Sequence, residues 1–132
     1  MSRKKEELVR FAHNAIARGA VDEFLSIVRP DVEFRSLIVE PDTQTMYRGH
    51  AGVRQWFETI VDTFGGFGTE VQGVWDVDDQ HAIAKLRAYG RIGGSEVEQG
   101  MWQAVEFRDG QVAWWVFCRT KQEALEAAGL RG

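Results

Sequence analysis

Cysteine is almost absent from this 132-residue sequence, with Cys118 the single copy. One thiol can form no intrachain disulfide and cannot build a thiolate metal site. No apolar run approaches membrane-spanning length, and Met1-Ser2-Arg3-Lys4-Lys5-Glu6-Glu7 lacks the apolar centre of a secretory signal. The expectation is a cytoplasmic protein with no membrane partner. Basic residues are not in excess: 16 Lys and Arg against 20 Asp and Glu leave a net charge of −4. Phosphate neutralisation needs a basic surface, so a general nucleic-acid binder is excluded. Repeats, low-complexity segments and linkers are missing too, and residues 1–132 read as one domain.

Aromatic rings are plentiful. Five Trp and eight Phe in a chain this short must either fill a wide interior or form an interface. Much of the chain around them alternates with a period of two. Ala82, Ala84, Leu86 and Ala88 oppose Lys85, Arg87 and Tyr89. Met101, Gln103, Val105 and Phe107 oppose Trp102, Ala104, Glu106 and Arg108. Such alternation is what a half-buried strand requires, and Gly93-Gly94-Ser95 between the two runs predicts a hairpin. A third strand, Gln111 to Arg119, follows the Arg108-Asp109-Gly110 turn. Val71 to Val77 precedes them as a fourth, and Val32 to Leu37 reads as a short strand further upstream.

Helices are predicted over Arg3 to Arg18, Val21 to Val28 and His50 to Phe64. In the first, Leu8, Phe11, Ala12, Ala15 and Ile16 form the apolar face and Lys5 lies opposite. Ser2 is its candidate N-cap, and Gly65-Gly66 ends the third helix. Glu40 to Tyr47 is polar and reads as an exposed loop. Thr120-Lys121-Gln122-Glu123 is a capping box that starts a final helix ending at Gly129. Helices gathered on one face of an antiparallel sheet make an α+β domain. A curved sheet wrapped around three N-terminal helices leaves a cone with an internal cavity, the default ligand site.

Several motifs carry a family resemblance. Ala20-Val21-Asp22-Glu23-Phe24 with Arg29-Pro30-Asp31-Val32-Glu33-Phe34 resembles the start of SnoaL-like polyketide-cyclase domains. Tyr47 to Trp56, Phe107 to Val112 and Glu123 to Leu130 continue the likeness across nearly the whole chain. These domains belong to the nuclear transport factor two-like superfamily, whose shape is a cone of curved sheet and three helices. That fold hosts isomerases, cyclases, epoxide hydrolases and non-catalytic binding modules, so the resemblance implies fold more than function.

The superfamily's chemistry is not matched here. Against ketosteroid-isomerase relatives the general-base position falls at Ser36, the Tyr position at Phe11 and the second Asp position at Gln103. Ser36 cannot take a carbon-bound proton unaided and Phe11 has no donor, although Gln103 could still donate to a carbonyl. Epoxide hydrolases of the superfamily need an Asp-Arg-Asp set. Arg87 is the tempting match, but its parity points it away from the cavity, and no Asp occurs between Ala82 and Arg108. Inward Asp or His residues like those of the polyketide cyclases are not visible either. His13 reads as a boundary group beside the apolar helix face, while His50 and His81 read as solvated. Three separated histidines make no metal site, and no cofactor is implied.

The resulting expectation is a domain that binds a small, mostly apolar molecule without acid/base residues. The alternatives are an enzyme acting on a small carbonyl or polyketide-like substrate, and a dimerisation or interaction module. The expected pocket wall is Phe11, Phe34, Ser36, Trp56 and Phe57 with Leu86, Met101, Gln103, Trp115 and Phe117. On the other face of the sheet, Arg87, Tyr89, Trp102, Trp114 and Val116 are expected to be exposed and to form a sheet-to-sheet homodimer. Cys118 shares their parity and reads as a buried, inert thiol.

Overall fold

The structure, a computed structural model, describes residues 2–36 and 46–131. Helices α1 (Ser2–Arg18) and α2 (Val21–Leu25) lead into strand β1 (Val28–Arg35), and β2 (Met46–Arg48) leads into helix α3 (Gly49–Thr63). Strands β3 (Gly65–Asp76), β4 (His81–Ile92), β5 (Ser95–Arg108) and β6 (Gln111–Cys118) then run into helix α4 (Lys121–Arg131). All six strands form one curved, unclosed sheet in the order β2-β1-β6-β5-β4-β3. The expected α+β architecture is therefore present, with N-terminal helices and a short C-terminal helix around the sheet.

Parity along the central strands follows the sequence pattern. Ala82, Ala84 and Leu86 face the main core opposite Val105, Gln103 and Met101. Gly93 and Gly94 both take positive φ, +58° and +83°, between the paired Ile92 and Ser95. That is the backbone a two-residue hairpin demands, and glycine adopts it without a Cβ clash.

Other boundaries move. The sheet is mixed rather than four antiparallel strands plus a short one, because β1 runs parallel to β6 and carries β2 on its far edge. Val28 belongs to β1 and not to α2, and Pro30 lies where the β1–β6 register shifts between Val28 and Glu33. A residue without an N–H is tolerated there because no regular ladder bond requires one. Gly65-Gly66 ends α3 and also opens β3, six residues before the expected start. Tyr47, read as part of an exposed loop, is buried in β2. Leu37 and residues 40–45 lie outside the described residues. At the C-terminus α4 continues past Gly129. Half of its capping box is present: Glu123 N–H donates to Thr120 Oγ1 at 3.1 Å, while the Glu123 carboxylate receives the N–H of Arg119, one residue before the cap, at 3.0 Å.

Helix α1 is rotated relative to the stripe read from its apolar residues. Val9, Ala12, Ala15 and Ile16 are buried, and Lys5 and His13 are buried with them. Phe11 is 39% exposed. Burying Lys5 is offset by polar partners at the β3–β4 turn: Nζ donates to the Asp78 carbonyl at 2.6 Å and lies 3.4 Å from Asp76. A helix with small residues at 12 and 15 can approach the sheet closely, and that approach fixes its rotation.

The outer face of the sheet also differs from expectation. Helix α4 packs across it, with Ala124 and Ala128 fully buried against Ile83, Ala104, Trp114, Val116 and Cys118. Trp114 is 8% and Val116 5% exposed, so both are covered by their own chain rather than left for a partner. Parity identifies that face, but it cannot say where α4 lies. Trp102 is half-buried and packs in a tilted pair with Trp75, which is 46% exposed, at 5.7 Å between centroids. Burial pushes the Cys118 thiol up to about 11, as an inert thiol requires.

Candidate functional site

The aromatic residues meet inside the cone. Phe34 lies 4.8 Å from Trp56, 5.4 Å from Trp115 and 5.9 Å from Phe117, centroid to centroid. Phe24 adds edge contacts with Phe57 and Trp115. These distances suit edge-to-face and tilted ring pairs, which gain from quadrupole alignment beyond their buried area. Phe34, Leu86, Trp115 and Phe117 are each at most 2% exposed, so these expected wall residues are spent in a packed interior. Ser36 is buried beside them and accepts the Trp56 Nε1–H at 3.0 Å.

Two apolar cavities border Phe64 and the start of β3. One cavity of about 190 Å3 is lined by the apolar Phe64, Phe67, Ala88, Ile92, Val97 and Met101 and by the polar Tyr89, Glu98 and Gln99. A second of about 220 Å3 is lined by Ile16, Trp56, Phe57, Ile60, Phe64 and Phe67 among others. Phe64 and Phe67, 5.1 Å apart, border both. Of the expected wall, Trp56, Phe57 and Met101 reach these cavities; Phe11 is placed on the surface by the rotation of α1.

The interior carries one polar chain. Gln103, fully buried, receives through Oε1 a hydrogen bond from His13 Nε2 at 2.9 Å. A carboxamide oxygen only accepts, so Nε2 bears the ring proton. Nδ1 is then the acceptor, and it takes the Thr69 hydroxyl at 2.5 Å. Desolvation lowers the His13 pKa to about 4 against the opposing pull of the Gln103 bond, so the ring is neutral at pH 7. His13 also packs 5.1 Å from the Trp115 ring. Two buried N–H donors beside it have no acceptor: Nε2 of Gln103 and Nε1 of Trp115. A third unpartnered atom, Nε of Arg35, lies elsewhere, on β1.

His13 and Thr69 were not legible as site residues. The signal for His13 was its place four residues after Val9 within a helical apolar stripe. Thr69 gave none, because β3 was expected to begin at Val71. The other histidines are also not solvated as expected. His50 donates Nε2–H to the Val28 carbonyl at 2.9 Å. His81 is 1% exposed between Asp78 at 2.7 Å and Glu106 at 3.3 Å, and its bond is the main reason the Asp78 carboxyl stays below its ordinary range. Arg87 pairs with Glu70 and Glu98 in the sheet, away from the main core. Among the described residues no group of three or more His, Cys, Asp or Glu could hold a metal ion. Nor is any described helix long and apolar enough to cross a membrane.

Solved structures with the same architecture are numerous. Bal32a, from a soil-derived mobile gene cassette, superposes with a TM-score of 0.79 at 18% identity, covering 95% of each chain. SalBIII, an epoxide hydrolase/cyclase-like enzyme of pyran-ring formation in salinomycin, gives 0.75 at 13% identity, covering 92% of this chain and 94% of that one. A protein with a ketosteroid isomerase-like fold from Catenulispora acidiphila DSM 44928, in complex with trimethylamine, gives 0.75 at 12% identity, with 93% of this chain and 92% of that one covered. At such identities the likeness is one of fold. No curated protein matches the sequence. The sequence itself matches the SnoaL-like domain over residues 8–115, from within α1 to within β6, and the chain therefore belongs to the SnoaL-like family of nuclear transport factor two-like folds.

Proposed function

We propose that the chain binds a small, mostly apolar molecule at the open end of its cone. The observation that carries this reading is the pair of cavities that share Phe64 and Phe67 among their lining residues. Each alone is below the roughly 300 Å3 at which ligand sites usually begin, and joined they exceed it. Rotation of two phenyl rings would join them. The neutral dye N-phenyl-1-naphthylamine is expected to bind saturably, one per chain, with a rise in its fluorescence. Phe67→Ala, which cuts back a side chain common to both cavities, is expected to tighten that binding several-fold. No saturable binding by either protein would sink the proposal.

Turnover of a small carbonyl substrate would need a base, and His13 is the interior group nearest that role. Its two ring nitrogens are both engaged, by Gln103 and Thr69, so it would have to give up the Thr69 hydroxyl before taking a proton. That arrangement favours binding without acid/base chemistry. A cytoplasmic location remains part of the proposal, supported by the composition.

A homodimer is also proposed, through the part of the outer face that α4 leaves open: Arg87, Tyr89 and Trp102, joined by the exposed Trp75. The tilted Trp75–Trp102 pair supports it, since an exposed indole packed on a half-buried one is unusual on a monomer's surface. Light scattering at micromolar concentration should return twice the 15.0 kDa chain mass, and Trp75→Glu should return one. A wild-type protein that stays monomeric there removes the interface.

A further inference from the structure

The two cavities continue into a third. A more open hollow of about 470 Å3 is lined by Val21, Phe57 and Val61 together with Arg54, Glu58 and Asp62. It shares Phe57 and Val61 with the cavity of about 220 Å3, which in turn shares Phe64 and Phe67 with the cavity of about 190 Å3. Phe57 and Val61 lie one turn apart on α3, and Phe64 follows at its C-terminal end. From Arg54 to Phe64 alone this line spans about 15 Å at the helical rise per residue. Behind it Phe34, Leu86, Trp115 and Phe117 fill the cone, so length is available where depth is not. Val61, 67% exposed, and Ile92 and Val97 at the far end are large apolar side chains left open to solvent. An apolar chain laid across them removes that surface from water.

Charge is unequal along the line. At the hairpin end Glu98 is paired with Arg87, and Glu96 stands opposite Arg91 across the strands. At the α3 end Arg54 is taken by Asp22 and Arg18 by Glu23. Glu58 and Asp62 are left over, exposed on α3 with no ion pair or hydrogen bond to any described residue. Like charges at i and i+4 on a helix repel, and a cation placed between them relieves that repulsion.

We propose that the three hollows form one groove for an unbranched amphiphile with a cationic head, a long-chain alkylammonium ion. Its ammonium lies between Glu58 and Asp62, and its chain runs along Phe57, Val61, Phe64 and Phe67. This deepens the binding reading above and rests on it. A carboxylate head of the same length meets two like charges at the α3 end. Turned round, it meets Glu96 and Glu98 together with the arginines opposite them, and gains no net attraction.

The test titrates decylammonium, decanoate and 1-adamantylammonium, whose compact cage holds the same number of carbons, into the protein below micelle-forming concentrations. Affinity is read by calorimetry and by displacement of N-phenyl-1-naphthylamine. Decylammonium is expected to displace the dye and to bind about tenfold tighter than decanoate at low salt, as two exposed charge contacts allow. Raising the ionic strength to about 0.5 M should shrink that ratio to about threefold or less. Decylammonium should also bind about tenfold tighter than the cage, which reaches fewer of the apolar groups in the line. Glu58→Gln combined with Asp62→Asn should bring the decylammonium-to-decanoate ratio to within about twofold. Val61→Ser should lower the chain-to-cage ratio by about threefold. All three side chains are exposed, so these variants keep the fold.

Equal affinities for decylammonium and decanoate overturn the charge selection, and a cage bound as tightly as the chain overturns the groove. Either result leaves the binding reading standing. Binding without dye displacement puts the amphiphile elsewhere and overturns the proposal. So does dye binding that fades as protein concentration rises, which would make a second copy of the chain the occupant. If the dye binds and no amphiphile does, the groove is rejected alone; if neither binds, both readings fall.

Discussion

Trp115→Ala is expected to lower the unfolding free energy by about 3–5 kcal/mol, the range found for removing a buried tryptophan or phenylalanine from a packed core. Trp115 is 1% exposed and has the rings of His13, Phe24, Phe34 and Phe117 between 5.1 and 5.6 Å away. Four rings wedged around a fifth cannot close over its loss without leaving their own contacts. A domain of this size holds about 5–15 kcal/mol in all, so the variant should unfold at a much lower urea midpoint. Trp115→Phe is the informative control. It keeps a ring in place and removes the unpaired indole N–H along with its desolvation cost, so it should lose only a small part of that amount. A Trp115→Ala loss below about 1.5 kcal/mol would show that the interior collapses freely, as a loose pocket wall does and a packed core does not.

Acidification should weaken the fold through His13. Its pKa in the folded protein is about 4 against 6.5 for the free side chain. Between those values the unfolded chain holds the extra proton, so stability rises with pH across the window and falls as pH drops through it. At about 1.4 kcal/mol per pH unit, going from pH 7.5 to 5 should cost about 2 kcal/mol. Most carboxylates keep their charge at pH 5, so histidines dominate this window, and the comparison with His13→Leu isolates the share of His13. His13→Leu should begin less stable, because it leaves the Gln103 oxygen and the Thr69 hydroxyl without partners, but its stability should hardly change over the same interval. Equal slopes for the two proteins, read from urea midpoints, would place the pH dependence elsewhere.

Much of the fold was legible in the residues because strand parity is a local property. The alternation of Ala82 to Tyr89 and of Met101 to Arg108 assigned Leu86, Gln103 and Met101 to one face and Arg87 and Trp102 to the other. Gly93-Gly94 marked the hairpin by its backbone freedom, and Thr120 with Glu123 marked the start of α4. Other features were not local. The rotation of α1 depends on how closely Ala12 and Ala15 approach the sheet, so Phe11 and His13 exchanged roles. Whether Trp114 and Val116 meet solvent depends on where α4 comes to rest, and its covering residues Ala124 and Ala128 come eight to fourteen residues later in the chain.

The sequence by itself determined the order of elements, the faces of the central strands and the apolar filling of the cone. Those follow from periodicity and side-chain volume, which neighbouring residues settle among themselves. Only the tertiary structure decided that His13, Thr69 and Gln103, separated by 56 and 90 residues from the histidine's own position, share one hydrogen-bonded chain. It also decided that two donors beside that chain go without acceptors. Hydrogen-bond satisfaction is a property of three-dimensional neighbours, and no spacing along the chain encodes which buried polar atom will be left over.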